Sequence, residues 1–166
     1  MQVGSHLYNI YMQQDPIVTC LVCQKHRGEI SIPGGFIHHD DLIFISHAPL
    51  WGEEKEHYLG NIYIETKRHV HEIGDLSQDE AARIGIHTTR VAQALLAILP
   101  MEHVYTFVIG DGAPHFHIHI IGRYINAPRE YWGPRVDEWP QAPKGENEDI
   151  AKLSAKIKKY YQEKDW

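Results

Sequence analysis

The residues with the clearest chemical potential are His115, His117 and His119, which alternate with Phe116, Ile118 and Ile120 and are followed by Ile121. A β-strand sends successive side chains to opposite faces, so this spacing places three imidazoles on one face and three bulky apolar groups on the other. Neighbouring rings in such a row stand roughly 7 Å apart, two strand residues on. A neutral imidazole can attack an electrophile, donate a hydrogen bond to an anion, or ligate a metal near pH 7. The row therefore suits one oligophosphate-sized anion, or one metal ion at its end. A merely solvated, histidine-rich strand is the bland alternative, since the chain carries 13 His in 166 residues. The apolar residues between the histidines argue against it, because they demand a core.

A second group is Cys20-Leu21-Val22-Cys23. Such a pair reads as half of a zinc site, as a redox motif, or as two small buried residues. A redox pair normally opens a helix in a βαβ setting, which this sequence lacks. Two thiolates cannot close a tetrahedral site, so the zinc reading needs two further ligands.

The triad strand, the C-x-x-C ahead of a strand–turn–strand segment, and Gly60 with Lys67-Arg68-His69 together resemble the histidine triad family of nucleotide-binding hydrolases and transferases. Gly122-Arg123-Tyr124 is similar to the Pro-Arg-Tyr that often ends the family's motif strand. Asn61 and Thr66 stand where His and Pro are common. The resemblance spans roughly residues 20–125. It implies an α+β histidine triad fold, an antiparallel sheet of about five strands with one long helix packed on it and a C-terminal helix beyond.

For the site, the resemblance implies that His117 attacks the α-phosphorus of a nucleotide, giving a nucleotidyl-histidine that water releases. His119 would donate to a phosphate oxygen, and Ser46, Asp111, Gly112 and His115 would join it in binding nucleotide or phosphate. Asp40, Leu42 and His47 fall, with Ser46, where the family contacts base and ribose. Cys20, Cys23, His69 and His115 would hold a structural zinc that ties the N-terminal loop to the active strand, with His71 a close competitor of His69 for its place. Substrates of this kind are dinucleoside polyphosphates or nucleoside phosphoramidates, and a homodimer is implied. One departure matters: Gly110-Asp111-Gly112 replaces the family's Gly-Gln-Ser/Thr. An Asp beside a polyphosphate is repulsive unless it meets ribose, a metal or a protonated leaving group. Two other classes stay open: a metallohydrolase using all three histidines as zinc ligands, and a nucleotide-binding module without turnover.

The elements that must position these residues follow from pattern. Leu42–Ile45 reads as a buried strand after the polar turn His38–Asp41. Ser77 and Glu80 form a capping box, Ile84, Val91, Leu95 and Ile98 recur at helical spacing, and Pro100 stops the helix. Val104–Ile109, the glycine turn and the triad strand predict an antiparallel hairpin. Tyr131–Pro134 with Trp139-Pro140 is an aromatic cluster expected to fold back over the site. A final helix begins at Glu146–Asp149, with Ile150, Leu153, Ile157 and Tyr160 on one face and four lysines on a solvated one. The expected division is an N-terminal arm (1–19), the histidine triad domain (20–125), and a loop-and-helix extension of that domain (126–166). Leu7–Met12 in the arm is either a short helix or extended.

The net charge of −6 argues against a general nucleic-acid or anionic-membrane partner. No apolar run approaches the roughly 20 residues that span a bilayer, and the first residues lack a secretory pattern. The expected compartment is the cytoplasm, where a structural disulfide is disfavoured.

Overall fold

The computed structural model describes residues 16–166; the stretch Leu7–Met12 and most of the expected arm lie outside the described residues. Two short helices, α1 (Pro16–Thr19) and α2 (Leu21–His26), lead into the sheet. Its strands are β1 (His38–His39), β2 (Ile43–His47), β4 (Asn61–Thr66), β5 (Met101–Phe107) and β6 (His117–Tyr124), ordered β1-β2-β4-β6-β5 with every pairing antiparallel. Two dipeptides, β3 (His57–Tyr58) and β7 (Lys144–Gly145), pair separately. The long helix α3 (Gln78–Ile98) and the C-terminal helix α4 (Asn147–Glu163) complete the α+β fold.

Alternation decides which face holds the core. Ile62 and Ile64 of β4, Ile43 and Ile45 of β2 and Ile120 of β6 are wholly buried. They meet Ile84, Val91, Ala94 and Leu95, the apolar stripe of α3. Leu153, Ile157 and Tyr161 of α4 enter the same core, and Ile150 is wholly buried. The opposite face of β4 carries Tyr63 and Glu65 and is also buried. A central strand covered on both faces thus has a polar set that must find partners inside the protein.

The ends of α3 match their sequence signals. Ser77 Oγ accepts the Glu80 N–H, and the Glu80 carboxylate accepts the Ser77 N–H in return. Arg68, just past β4, adds a two-point ion pair to Glu80 at 3.1 and 2.7 Å. The helix start is thereby fastened to the strand that leads to His69.

Three local expectations change. His38 and His39 are edge-strand residues, paired with Ile45 and Phe44, and the turn sits at Asp40, whose Oδ1 accepts the N–H groups of Leu42 and Ile43. Antiparallel β5 and β6 are joined by the long loop 108–116 instead of a tight turn, because Phe107 is already opposite His119. Trp132 of the aromatic cluster lies on the Arg123 guanidinium, farther along the triad strand, at 3.6 Å and donates to the Ala127 carbonyl, and none of residues 131–140 lines the cavity that His117 and His119 border. Among the described residues no helix is long and apolar enough to cross a membrane.

Candidate functional site

His117 and His119 project from β6 opposite Glu65 and Tyr63 of β4. Their rings are 5.0 Å apart, and Tyr63 meets His119 edge-on at 4.5 Å. His117 Nδ1 lies 2.7 Å from the His115 carbonyl oxygen. A carbonyl only accepts, so Nδ1 carries a proton, and in the neutral ring the lone pair is therefore on Nε2. Burial, then the neighbouring His117, hold the His119 imidazole down at about 4, leaving it neutral at pH 7 with one N–H to donate.

These two rings and Glu65 form part of the lining of a cavity of about 310 Å³. Leu21, Trp51 and Tyr63 give it an apolar side, and the loop from Ile109 to Ala113 forms its rim. Leu21 and Ile109 remain 42% and 55% exposed, although large apolar groups are normally covered. Exposed apolar groups rimming a polar floor mark a surface shaped for a ligand. Among the described residues, the only Asp, Glu, Lys or Arg side chains in the lining are Glu65 and Asp111.

Glu65 is 1% exposed and is held by two consecutive residues of α2. Lys25 Nζ pairs with Oε1, and His26 Nε2 lies 3.0 Å from Oε2. Burial pushes the carboxyl up, but the Lys25 charge and the two hydrogen bonds outweigh it and hold Glu65 at about 2. His26 stacks on Phe44 at 4.0 Å, which fixes the ring that holds the carboxylate. The C-x-x-C helix is thus latched to the strand opposite His117 by charge.

The same helix brings Cys20 and Cys23 to His69 and His115, with donor atoms all within 4.8 Å of one another. Cys20 Sγ and Cys23 Sγ are each 3.5 Å from His115 Nδ1, and Cys23 Sγ is 3.4 Å from His69 Nδ1. Tetrahedral zinc, with bonds of about 2.3 Å to sulfur and about 2.05 Å to nitrogen, needs S···N separations of about 3.5 Å. These three separations meet that requirement. His115 Nε2 is 2.7 Å from the Thr66 carbonyl, so its proton is there and Nδ1 faces the sulfurs as a ligand lone pair. Burial holds this imidazole down at about 4. His71 stands behind His69, its Nε2 3.3 Å from the other nitrogen of that ring. This set can hold a metal ion.

Of the residues singled out by sequence, His117, His119, Asp111 and Gly112 line the cavity. His115 does not: it is wholly buried in the cysteine cluster, two residues before the strand begins at His117. Its place there also means that the three histidines do not converge on one ion. Ser46 is 1% exposed and outside the lining. His47 is a structural pin, Nδ1 donating to the Ala48 carbonyl at 2.7 Å and Nε2 accepting the Gly60 N–H at 3.0 Å. Asp40 is occupied by its turn and by Arg83 at 2.9 Å, and Leu42 packs on the core. Sequence reasoning passed over Trp51, Tyr63, Lys25, His26 and Glu65. A lone Trp in a polar loop and a Glu in an otherwise apolar strand were the available signals.

No protein-family model matches the chain, and no curated protein matches it. Solved structures do. A zinc-bound histidine triad family protein from Mycobacterium smegmatis superposes with a TM-score of 0.65 at 14% identity, over 89% of this chain and 99% of that one. A hypothetical histidine triad nucleotide-binding protein from Sulfolobus tokodaii gives 0.64 at 17%, over 86% and 92%. A histidine triad protein from Sinorhizobium meliloti gives 0.61 at 18%, over 87% and 98%. Architecture, strand order and these superpositions agree: the chain has the histidine triad fold.

Proposed function

We propose that this chain is a nucleotide hydrolase or nucleotidyl transferase that works at an α-phosphorus through His117. The observation that carries the reading is the hydrogen bond from His117 Nδ1–H to the His115 carbonyl, which orients the ring so that its neutral form presents the Nε2 lone pair as nucleophile at the floor of the cavity. In the first step a bond forms from Nε2 to phosphorus, and the bond to the leaving group breaks with its electron pair. In the second, water adds to phosphorus, the P–N bond breaks, and the nucleoside monophosphate leaves. The His119 N–H and backbone N–H groups of the 110–112 loop meet the charge that builds on the phosphoryl oxygens. Trp51, Tyr63 and Leu21 offer the base an apolar surface.

Charge narrows the substrate. With Asp111 at the rim and no lysine or arginine in the lining among the described residues, a polyphosphate leaving group is disfavoured. An amine leaving group, protonated as it departs, suits an adjacent carboxylate, so nucleoside phosphoramidates fit better than dinucleoside polyphosphates. Cys20, Cys23, His69 and His115 are assigned to a structural zinc, which would cross-link α2 to the start of the active strand. β5, an outer strand of the sheet, is the natural edge for the homodimer that the fold family suggests. The test is turnover of adenosine phosphoramidates and diadenosine polyphosphates by wild type and His117→Ala. Release of the monophosphate by wild type, cut at least a thousandfold in the variant, is the expected result. Equal activity in both proteins, or nucleotide binding without turnover, contradicts it.

A further inference from the structure

A second cluster of ligating side chains lies across the core from the cavity. His38 of β1, Asp40 of the following turn and His87 of α3 can each offer a donor atom, and these lie within 4.8 Å of one another. His38 Nε2 and His87 Nδ1 are both buried with no hydrogen-bond partner among the described residues. His87 is 1% exposed, so its bare nitrogen sacrifices water without return. The carboxylate is held in place: Oδ1 accepts the Leu42 and Ile43 N–H groups at 2.8 and 3.1 Å, which leaves Oδ2 3.7 Å from His38 Nε2. Two imidazoles and one fixed carboxylate are a donor set for a divalent transition metal.

We propose that His38, Asp40 and His87 form a second metal site, distinct from the cysteine cluster, that takes a zinc-class divalent ion and completes its coordination with water. Burial lowers the pKa of His38 and holds His87 down at about 4, so both rings reach neutral pH unprotonated, as ligands must. The rings now stack at 4.5 Å with 21° between their planes. An ion in the plane of both requires one to turn. His38 is the mobile one, with 32% of its side chain exposed and no hydrogen bond from Nε2 to lose. His38 and His87 each border a surface cleft, of about 260 and 420 Å³, which gives an ion a way in. Two cations face the site and oppose binding: Arg83, 2.9 Å from Asp40 Oδ2, and Arg90, which borders both clefts. Arg83 is 45% exposed and can swing into water when the ion takes its oxygen. An ion here would join the edge strand to α3.

The test is metal content of the untagged full chain, stripped with chelator and dialysed against zinc, together with the visible spectrum after cobalt substitution. Wild type should hold two equivalents. His38→Gln should hold one and keep the thiolate-to-cobalt charge-transfer band of the cysteine cluster. His87→Gln should do the same if it folds; His38→Gln, being at the surface, carries the test alone if it does not. Cys20→Ser/Cys23→Ser should lose the band and keep the equivalent that His38→Gln removes. Equal metal content in wild type and His38→Gln, or a wild type that takes up only the equivalent responsible for the thiolate band, overturns the proposal.

Discussion

Consider replacing Lys25 by Met, which keeps the length of the stem and removes its charge. Lys25 and Glu65 are 2% and 1% exposed, and each satisfies the other in a region shut from water. Removing one partner of such a pair costs about 3–5 kcal/mol, because the survivor stays buried and charged. The Glu65 carboxyl gives a second route to the magnitude. It is held at about 2 against an ordinary 4.5, and at about 1.4 kcal/mol per pK this is about 3 kcal/mol of preference for the ionised form. His26 remains on Oε2 after the substitution, so the lower end, about 3 kcal/mol, is expected. Glu65→Gln should cost a similar amount by stranding Lys25. The double variant should cost about 3 instead of about 6 kcal/mol, a coupling well beyond the roughly 0.5 kcal/mol within which independent sites add. Urea unfolding of the four proteins at pH 7 measures this directly. The sign with pH is a further check. Because folding lowers the Glu65 pKa, its contribution is complete above about pH 4.5 and fades as pH falls towards 2. Lys25→Met should flatten that stretch of the stability curve. Additive single-site costs, or a Lys25→Met cost below about 1 kcal/mol, would refute the latch.

Two other outcomes follow from the site. Burial is the main cause that holds His47, His87, His115 and His119 at about 4, against an ordinary 6.5. The unfolded chain therefore binds more protons between those limits, and metal-free protein should lose stability on the order of several kcal/mol from pH 7.5 to pH 4.5; an unchanged urea midpoint would contradict this. Zinc at a hundredfold excess over its dissociation constant adds about 2.7 kcal/mol, so stripping it should lower Tm by roughly 5–10 °C at this chain length. In a His38→Gln background, where the cysteine cluster alone takes metal, calorimetry should show that shift with and without His71→Ala and its absence when Cys23→Ser or His69→Ala is added; the same Tm with and without metal in that background would remove the structural role.

The parts legible in the sequence were those with a local signature. Alternation exposed the triad strand, and the box at Ser77 with Glu80 fixed the start of the long helix, because both depend on neighbours a few residues apart. Alternation could not show where the ladder begins. Phe116 bonds across to Val70 at 2.6 Å, which peels His115 off the sheet and turns it to the cysteines. The six-residue helix carrying Lys25 and His26 is too short for a periodic signal, and its purpose depends on Glu65, 40 residues on. Ser46 and His47 look available in a strand with polar residues, yet β2 is covered on both faces at that end and both are buried. The aromatic cluster at Tyr131–Pro134 is a related case: Trp132 seats on the Arg123 guanidinium, a contact that pattern does not reveal.

The central claim, a nucleotidyl bond on His117 Nε2, is tested most directly by trapping it. Wild type and His117→Gly would be mixed with a fluorogenic adenosine phosphoramidate and quenched in alkali within the first turnover, when a phosphorus–nitrogen bond survives. Intact mass and peptide mapping would follow. An adenylyl adduct on His117 in wild type, absent from the glycine variant, is the predicted result. Turnover by wild type with no adduct at any time, or an adduct on another residue, would contradict the account.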